Sequence, residues 1–299
     1  MSAQQPNLGR LVYRHDITPD LAIIRIQPSD GSPVPDFKAG QFITLGLKLE
    51  GEGDNKITNR AYSLASPPEE KRYFELYIKW TQEPVPGRFT TALFNMKEGD
   101  ELYWRKPAGA FTIEDKKMDG TPDERTLTLV ASGTGLAPFV GYILHLKAAG
   151  SKRRIALLHG VRHAKELGYR DLFVKLAKEG GNNNKNNNFI YLPTVSRPNA
   201  PGSEGWTGHT GRVETLLEQQ KNDDDDDGGS SSSNNNSGGM SALERALGNK
   251  VTPENSFFHI CGYSGTIDSV ISMLQPLGFV SNRNKRKDGS FDIKVETYG

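Results

Sequence analysis

Apolar residues in the first third of the chain form short runs that are separated by glycine, proline and aspartate. Between Leu11 and about Ile113 these runs recur at a spacing that is typical of an antiparallel barrel or sandwich. Residues 87–96 differ, because a glycine and two threonines open a short helical pattern there. We therefore predict an N-terminal antiparallel β-barrel with one helix, built from the runs LAIIRI, QFITLGL, RAYSLA, YFELYIKW and DELYWRKP.

The run YFELYIKW has the alternation of a strand with two different faces. Successive side chains of a strand point to opposite sides of its sheet, so each alternate set shares one face. We expect the fully apolar set to face the core and the mixed set to face outward. The apolar set is Phe74, Leu76, Ile78 and Trp80, and the mixed set is Tyr73, Glu75, Tyr77 and Lys79.

The pattern changes after the polar stretch 114–124, where strands begin to alternate with helices. Such alternation predicts a parallel sheet covered by helices on both faces. We place a β-barrel domain at residues 1–115 and an α/β domain at residues 125–299. The predicted strands of the second domain are 126–131, 153–160, 189–196, 256–262 and 292–298, and the predicted helices are 136–150, 169–180, 211–220 and 264–278.

Two stretches rich in asparagine, aspartate, serine and glycine interrupt the α/β domain, at residues 181–188 and 222–239. Their composition cannot bury a core, so we predict disordered surface loops without a catalytic role. The five adjacent aspartates indicate a solvated run, and no metal site is predicted. A short amphipathic helix is expected just after them, over residues 240–248.

The length of 299 residues suits two domains. Lysine and arginine total 37 and aspartate and glutamate 36, and this balance argues against a chain that coats nucleic acid or an anionic membrane. The first ten residues contain no apolar signal segment, and nowhere do about 18 uncharged apolar residues run together. We therefore expect a soluble, cytoplasmic protein with neither a nucleic-acid nor a membrane partner.

Cys261 is the single cysteine of the chain. An internal disulfide is therefore impossible, and so is a cluster that needs four thiolates from this chain. If the protein moves electrons, an organic cofactor must carry them.

Gly133 and Gly135 stand between a predicted strand and a predicted helix. Glycine at such a turn lets the backbone approach a phosphate at the helix N-terminus, whose free N–H groups and dipole favour an anion. The full dinucleotide fingerprint is not present, so a tight turn chosen for packing remains an alternative.

Three arginines and a serine follow predicted strands, or begin a predicted helix, in the α/β domain. These positions share the sheet edge at which ligands bind in open parallel sheets. Guanidinium groups pair with phosphate oxygens, so the set suits a phosphate beyond a pyrophosphate and favours NADP over NAD. For each arginine alone, an ordinary surface charge remains the alternative. The set is Arg162, Ser196, Arg197 and Arg212.

Two segments of the barrel domain each offer a phosphate-binding device, which together suggest a dinucleotide. Arg60 can neutralise a pyrophosphate, and residues 87–91 (GRFTT) provide a helix N-terminus with threonine hydroxyls for the same group. Tyr62 offers a flat surface for a ring, and Ser63 a small donor beside it. Taken alone, this strand could also be an ordinary half-exposed one.

Five motifs occur in one order across nearly the whole chain, and together they are more specific than any one of them. They are RAYS at 60–63, GRFTT at 87–91, GTGLAPF at 133–139, HICG at 259–262 and VETYG at 295–299. In this order the chain resembles the ferredoxin-NADP reductase family, above all the bacterial-type ferredoxin or flavodoxin reductases that lack a fused iron-sulfur domain. The resemblance implies an FAD held mainly by the barrel and an NADP(H) site on the α/β domain.

The resemblance also implies roles for individual residues. Ser63 would lie near the flavin N5 atom, which accepts hydride, and Cys261 and Glu296 would lie around the nicotinamide. Tyr298 would stack on the flavin until the nicotinamide displaces it, and Thr134 would lie where the two cofactors meet. The other implied FAD contacts are Arg60, Ala61, Tyr62, Tyr77, Ile78, Lys79, Gly87, Arg88, Phe89 and Thr90.

The activity implied by the resemblance is that of a flavoprotein oxidoreductase, which passes electrons between NADP(H) and a ferredoxin or flavodoxin through FAD. One alternative keeps the fold and makes the chain the reductase component of an oxygenase or a free-flavin reductase. An alternative of another class is a non-catalytic flavin- or nucleic-acid-binding module. The basic loop 282–289 could dock an acidic carrier, although a solvated loop explains its charges as simply.

Overall fold

The computed structural model describes residues 6–51, 56–82, 84–179, 188–219 and 239–298. Apart from residues 188 and 239, both predicted inserts lie outside this part of the chain, and so does Gly299. The chain forms two compact units whose segments alternate along the sequence. The first unit comprises Met1–Asp123 and Gly133–Lys152, and the second comprises Glu124–Ser132 and Arg153–Gly299.

Six antiparallel strands form the sheet of the first unit, in the spatial order β4-β3-β6-β1-β2-β5. Directly after β4, Leu64 bridges to Leu76 of β5, which joins the two edges of the sheet and closes it. The predicted antiparallel architecture of this domain is confirmed. Its elements are β1 (Asn7–Thr18), β2 (Leu21–Pro28), β3 (Phe42–Lys48), β4 (Ile57–Ser63), β5 (Phe74–Lys79), α1 (Arg88–Asn95) and β6 (Glu101–Ala108).

Strand β1 is absent from the sequence-based prediction. Its register against β2 shifts between Leu11 and Tyr13, so an irregularity interrupts the regular pairing. A one-residue shift exchanges the two faces of a strand, so Leu11 is buried whereas Tyr13, two residues later, is exposed like its neighbour Val12. The alternation that would have revealed the strand is therefore broken in its middle.

The predicted outward face of β5 is wrong for two of its residues, because Glu75 and Tyr77 are only 7% and 4% exposed. The segment after β4 covers this side: the N–H of Ala65 donates to the carbonyl of Glu75, and the N–H of Glu75 donates to Ser66 Oγ. The Glu75 carboxylate pairs with Arg25 Nε at 2.7 Å. A buried charge with a partner can occupy such a position.

Helix α2 (Ala137–Ala148), preceded by a 3-10 turn at Gly133–Leu136, packs within the first unit. Gly141 allows the close approach, since a Cβ there would lie 3.0 Å from the carbonyl oxygen of Ser66. The hydroxyl of Tyr142 donates to the carbonyl of Phe111, and His145 Nδ1 lies 2.6 Å from Glu69 Oε1. Backbone, aromatic and charged groups together hold α2 against the barrel.

The second unit contains a parallel sheet in the order β10-β9-β8-β7-β11-β12, as the alternating pattern predicts. The order reverses between β7 and β11, and ligands bind at such a switch point, beyond the carboxyl ends of the strands. The strands are β7 (Thr126–Ser132), β8 (Ile155–Val161), β9 (Phe189–Val195), β10 (His209–Thr210), β11 (Ser256–Tyr263) and β12 (Ile293–Tyr298). The helices are α3 (Arg170–Glu179), α4 (Ala242–Leu247) and α5 (Ser264–Leu274).

The helix predicted over residues 211–220 is wrong in type and length, because the structure has a 3-10 segment at Val213–Leu217. Immediately before it, the two residues of β10 pair with β9 and hold the chain extended up to Gly211. Val213 then packs closely on β8: a Cβ added at Gly160 would lie 2.7 Å from the Cβ of Val213. These tertiary contacts outweigh a local helical preference.

Within the described residues, no helix has the combination of length and apolar character that crossing a bilayer requires.

Candidate functional site

A pocket of about 250 Å³ opens in the first unit between β4 and the start of α1. Six of its lining residues belong to the set proposed for FAD: Arg60, Tyr62, Gly87, Arg88, Phe89 and Thr90. Leu49 and Thr58 also line it, and nothing in their sequence context distinguished them beforehand. The structure thus brings the RAYS and GRFTT motifs together around one cavity.

The pocket is lined by basic and polar groups from β4 and from the start of α1. Arg60 is exposed, its Nη1 donates to the carbonyl of Asn59, and within the described part of the chain no carboxylate pairs with it. At the start of α1, Gly87 supplies no side-chain cap, so the first amides of the helix have no such partner. A Cβ at Gly87 would lie 2.8 Å from Thr90 Oγ1, so glycine also keeps this hydroxyl in place. A helix N-terminus without a side-chain cap and a guanidinium without a carboxylate partner among the described residues offer donors that suit phosphate.

Tyr62 forms the apolar wall of the same pocket. Its ring centroid lies 6.1 Å from that of Phe89, and it packs against the barrel core. Burial raises the pKa of Tyr62 above its usual value, so the side chain is a neutral phenol at physiological pH. A flat neutral ring of this kind can pack against an aromatic cofactor.

Ser63 lies on the opposite face of β4 from Arg60 and Tyr62 and does not line the pocket. Its side chain is 5% exposed, and the pairing of β4 with β3 ends at this residue, opposite Phe42. The following residue, Leu64, already pairs with β5. Ser63 therefore marks the point where the chain passes from one edge of the barrel sheet to the other.

Strand β5 comes into contact with the glycine turn that precedes α2. Tyr77 and Ile78 are buried, and Lys79 Nζ forms an ion pair with Asp20 at 3.2 Å. In the turn, Gly133 has a φ of 56°, which favours glycine. The remaining proposed residues of this turn are Thr134, which is half-buried, and Gly135, which is buried.

At the switch point of the second unit, β7 and β11 approach each other closely. Gly262 has a φ of 153°, and a Cβ there would lie 2.8 Å from Ser132 Cβ. A side chain at residue 262 would therefore clash with Ser132 at the carboxyl ends of the two strands. The HICG motif includes this glycine, but sequence analysis did not single it out as a site residue.

Cys261, Glu296 and Tyr298 meet near the carboxyl ends of β11 and β12. Cys261 and Glu296 are opposite each other in the β11–β12 pairing, with Sγ and Oε2 3.9 Å apart, and Tyr298 hydrogen-bonds the same thiol. Burial, with the adjacent Glu296 carboxylate, raises the pKa of Cys261 well above its usual value. The thiol is consequently a neutral, protonated group and not a nucleophilic thiolate.

The four basic-edge residues, Arg162, Ser196, Arg197 and Arg212, all follow the carboxyl ends of neighbouring strands and are exposed. The N–H of Arg197 donates to the carbonyl of Arg162 at 2.9 Å, and the N–H of Ser196 donates to that of Val161 at 3.0 Å. Arg212 lies 4.0 Å from Glu214 but remains 76% exposed, so this ion pair neutralises little of its charge.

The basic loop 282–289 uses much of its charge internally. Arg283 pairs with Asp268 at 2.9 Å and also donates to Thr297, and Arg286 pairs with Asp292. Lys285 lies over the Phe291 ring at 5.1 Å. Carrier docking at this loop stays a hypothesis with reduced support.

Two family descriptions match consecutive parts of the chain: Oxidoreductase FAD-binding domain at residues 9–113 and Oxidoreductase NAD-binding domain at residues 129–269. A ferredoxin-NADP reductase of Pseudomonas aeruginosa is 36% identical over 166 residues, which cover 54% of this chain and 58% of the relative. A component of the Na(+)-translocating NADH-quinone reductase of Serratia proteamaculans is 27% identical over 287 residues, covering 85% of this chain and 60% of the relative. The chain thus spans about three fifths of these curated relatives.

Solved structures share the fold. A ferredoxin NADP+ reductase from Neisseria gonorrhoeae, with bound FAD and NADP, has a TM-score of 0.71 and 23% identity, with 99% of each chain covered. The cytochrome b5 reductase domain of Ulva prolifera nitrate reductase has a TM-score of 0.70 and 18% identity, again over 99% of each chain. Proteins with different electron partners therefore share this architecture.

Proposed function

The chain belongs to the ferredoxin-NADP reductase family of FAD- and NAD-binding oxidoreductases, and from this membership we propose that it moves electrons between NADP(H) and a one-electron carrier protein. The observation that carries the proposal is that each unit holds its own set of exposed basic groups, placed at a helix N-terminus or at the carboxyl ends of strands, where phosphate can bind. In the first unit this is the pocket with Arg60 and the α1 N-terminus, and in the second unit it is the basic edge after β8 and β9.

The residues around the pocket fit an FAD pyrophosphate. Arg60 and the first amides of α1 would hold its oxygens, with Arg88 and Thr90 beside them and Tyr62 against a cofactor ring. Bound FAD would supply the redox chemistry, since a flavin can accept a hydride and deliver single electrons. By resemblance, we assign the flavin end to Ala61, Ser63, Tyr77, Ile78 and Lys79.

Cys261, Glu296 and Tyr298 would position the nicotinamide at the switch point. Cys261 would present a small neutral thiol to the ring, and Gly262 beside it has no side chain that would clash with Ser132. Hydride transfer needs the donor carbon and the acceptor nitrogen near contact distance, so positioning and the exclusion of water are the main tasks of these residues. Thr134 is assigned to the meeting point of the two cofactors by resemblance.

Preference for NADP over NAD would come from the basic edge. Arg162, Arg197 and Arg212 are exposed beyond the carboxyl ends of β8, β9 and β10, and the exposed Ser196 lies beside Arg197. A 2′-phosphate carries the charge that this set can bind, whereas the 2′-hydroxyl of NAD does not.

For the carrier we propose a ferredoxin or flavodoxin on a separate chain, which the Pseudomonas aeruginosa relative supports by its name. The NADH-quinone reductase relatives align with a larger share of this chain, so an acceptor of another kind is the second candidate. These candidates can be separated by comparing the rates at which the protein, supplied with NADPH, reduces equal amounts of ferredoxin, flavodoxin and free FMN. Fastest reduction of free FMN would favour a flavin reductase.

The central test begins with the purified protein and its absorbance spectrum. We expect bound flavin, and we expect anaerobic NADPH to bleach it faster than NADH does. A protein that neither retains nor takes up FAD would contradict the proposal. Faster bleaching by NADH would overturn the role of the three arginines, and bleaching without transfer to any acceptor would favour a non-catalytic module.

A further inference from the structure

The turn that carries Arg162 is organised by a carboxylate that sequence analysis did not single out. Glu166 is 9% exposed, and its Oε2 accepts hydrogen bonds from the N–H groups of Arg162 at 3.2 Å and His163 at 3.0 Å. The same oxygen lies 3.5 Å from His163 Nδ1. Two amides that would otherwise need partners at the end of β8 are satisfied by one buried side chain.

A second buried side chain ties this turn to the loop that follows Arg197. Ser203 is 1% exposed, and its Oγ accepts a hydrogen bond from the N–H of Ala164 at 3.1 Å. The N–H of Lys165 donates to the carbonyl of Gly202 at 2.9 Å. We call Glu166 and Ser203, with the turn and loop that they connect, the Glu166–Ser203 bracket.

The bracket fixes the backbone from which two guanidinium groups project. Arg162 and Arg197 are exposed, and neither forms an ion pair with a described residue. The position from which each side chain extends is set by its backbone, which the bracket and the Arg197-to-Arg162 hydrogen bond hold in one arrangement. A fixed backbone lowers the conformational entropy that phosphate binding must remove.

We propose that Glu166 and Ser203 are positioning residues that set the preference for a 2′-phosphorylated adenine nucleotide. The inference rests on the proposed function, because it deepens the assignment of the basic edge to NADP(H). Neither residue contacts the ligand: they act through the backbone of Arg162 and Arg197.

A carboxylate near a ribose site can have the opposite effect, since an acidic residue can bind the 2′-hydroxyl of NAD and repel a 2′-phosphate. The geometry of Glu166 argues against that role. Its carboxylate is buried and accepts two backbone N–H groups, so little of it is left to face a ribose. When the charge of Glu166 is removed, the two roles predict changes of opposite sign in the affinity for 2′,5′-ADP.

The test compares the binding of 2′,5′-ADP and 5′-AMP by calorimetry, because the two probes differ by the 2′-phosphate. We expect Glu166→Ala to weaken 2′,5′-ADP binding about tenfold, the effect of roughly one hydrogen bond, and to change 5′-AMP binding less than about twofold. Glu166→Gln, which keeps an accepting oxygen, should recover part of the loss. Ser203→Ala should weaken 2′,5′-ADP binding in the same direction.

Glu244→Ala is the matched control in the same unit. Glu244 is 5% exposed and accepts the N–H groups of Ser241 and Val251, so it is also a buried carboxylate that caps backbone amides. Its loss should lower the melting temperature and leave the ratio of the two affinities at the wild-type value. A change of ratio in Glu166→Ala alone therefore identifies positioning and not general destabilisation.

The outcomes separate the inference from the function on which it rests. A wild type that binds both probes equally overturns the NADP assignment, and the inference with it. A wild type that prefers 2′,5′-ADP, with Glu166→Gln and Ser203→Ala keeping the full preference, overturns the inference alone. Tighter binding of 2′,5′-ADP by Glu166→Gln would identify Glu166 as a residue that selects NAD. This result would also overturn the inference.

Discussion

His159 lies in the middle of β8 with its side chain fully buried. Its Nδ1 is 3.2 Å from the Tyr191 hydroxyl, and its Nε2 has no hydrogen-bond partner among the described residues. Burial lowers the pKa of His159 from 6.5 to about 3. As the pH falls, the unfolded chain takes up this proton first, so the contribution to stability is complete above pH 6.5 and is lost toward pH 3.

We predict that His159→Phe makes folding less sensitive to acid. Between pH 7 and pH 4 the free energy of unfolding of the wild type should fall by about 3 kcal/mol more than that of the variant, since one pKa unit corresponds to about 1.4 kcal/mol. Urea unfolding at stepped pH measures the difference. His15→Gln, at an exposed position of β1, should retain the wild-type slope. Equal slopes for His159→Phe and the wild type would contradict the prediction.

Ser63 provides a second prediction at this scale. If it acts near the flavin N5, Ser63→Ala should slow flavin reduction by NADPH about tenfold or more while FAD retention changes little. Stopped-flow bleaching and the flavin content of the purified protein measure the two effects. Ser66→Ala removes a buried serine nearby, which accepts the N–H of Glu75, and should not slow reduction. Loss of FAD at an unchanged rate would make Ser63 a cofactor anchor.

At the scale of the helix, two glycines in α2 and α5 should respond oppositely to the same substitution. A Cβ at Gly141 would meet the carbonyls of Ser66 and Leu64 at 3.0 and 3.2 Å, whereas a Cβ at Gly265 would meet no atom within 4 Å. Gly141→Ala should therefore lower the free energy of unfolding by about 1 to 3 kcal/mol through overpacking. Gly265→Ala should raise it by up to about 1 kcal/mol.

Urea unfolding of both variants at pH 7 is the measurement. Stabilisation by Gly141→Ala would mean that α2 can move away from the barrel without cost.

Most elements could be predicted from the sequence because their apolar periodicity is local, as in β7, β8, α2 and α5. The failures occur where tertiary contacts decide. Glu75 is covered by a segment that follows a different strand, and nothing within β5 indicates that cover. The pairing of β10 with β9 likewise prevents the helix predicted over residues 211–220, although the local composition favours it.

For the molecule as a whole, each unit should respond to its own ligand. Ligands that bind only the folded state stabilise it by about 2.7 kcal/mol at 100 times their dissociation constant. We predict that FAD raises the calorimetric transition of the first unit and that 2′,5′-ADP raises that of the second. Arg60→Ala should reduce only the FAD effect, and Arg162→Ala only the 2′,5′-ADP effect. If the rise caused by 2′,5′-ADP depended on Arg60, the prediction that the two ligands bind at separate sites would be contradicted.

The candidate site could be predicted where it depends on a residue type with a specific chemistry, such as arginine, at a position that the sequence pattern locates. The sequence predicts that Arg60 and the GRFTT helix start serve the same phosphate group, and the structure places both around one pocket. Glu166 and Ser203 escaped detection because their importance lies in hydrogen bonds to distant backbone groups. A glutamate and a serine in polar turns have no sequence feature that separates them from solvent-facing residues.

The alternation of chain segments between the two units has a consequence for exchanging parts among relatives. The predicted domain limits suggest a single crossover between residues 115 and 125. Such a chimera would take Phe111 from one parent and Tyr142 from the other, and would likewise separate Glu69 from His145. A chimera therefore keeps the barrel of one parent intact only when residues 133–152 come from the same parent. Such a chimera needs three crossovers, whereas the sequence order suggests one.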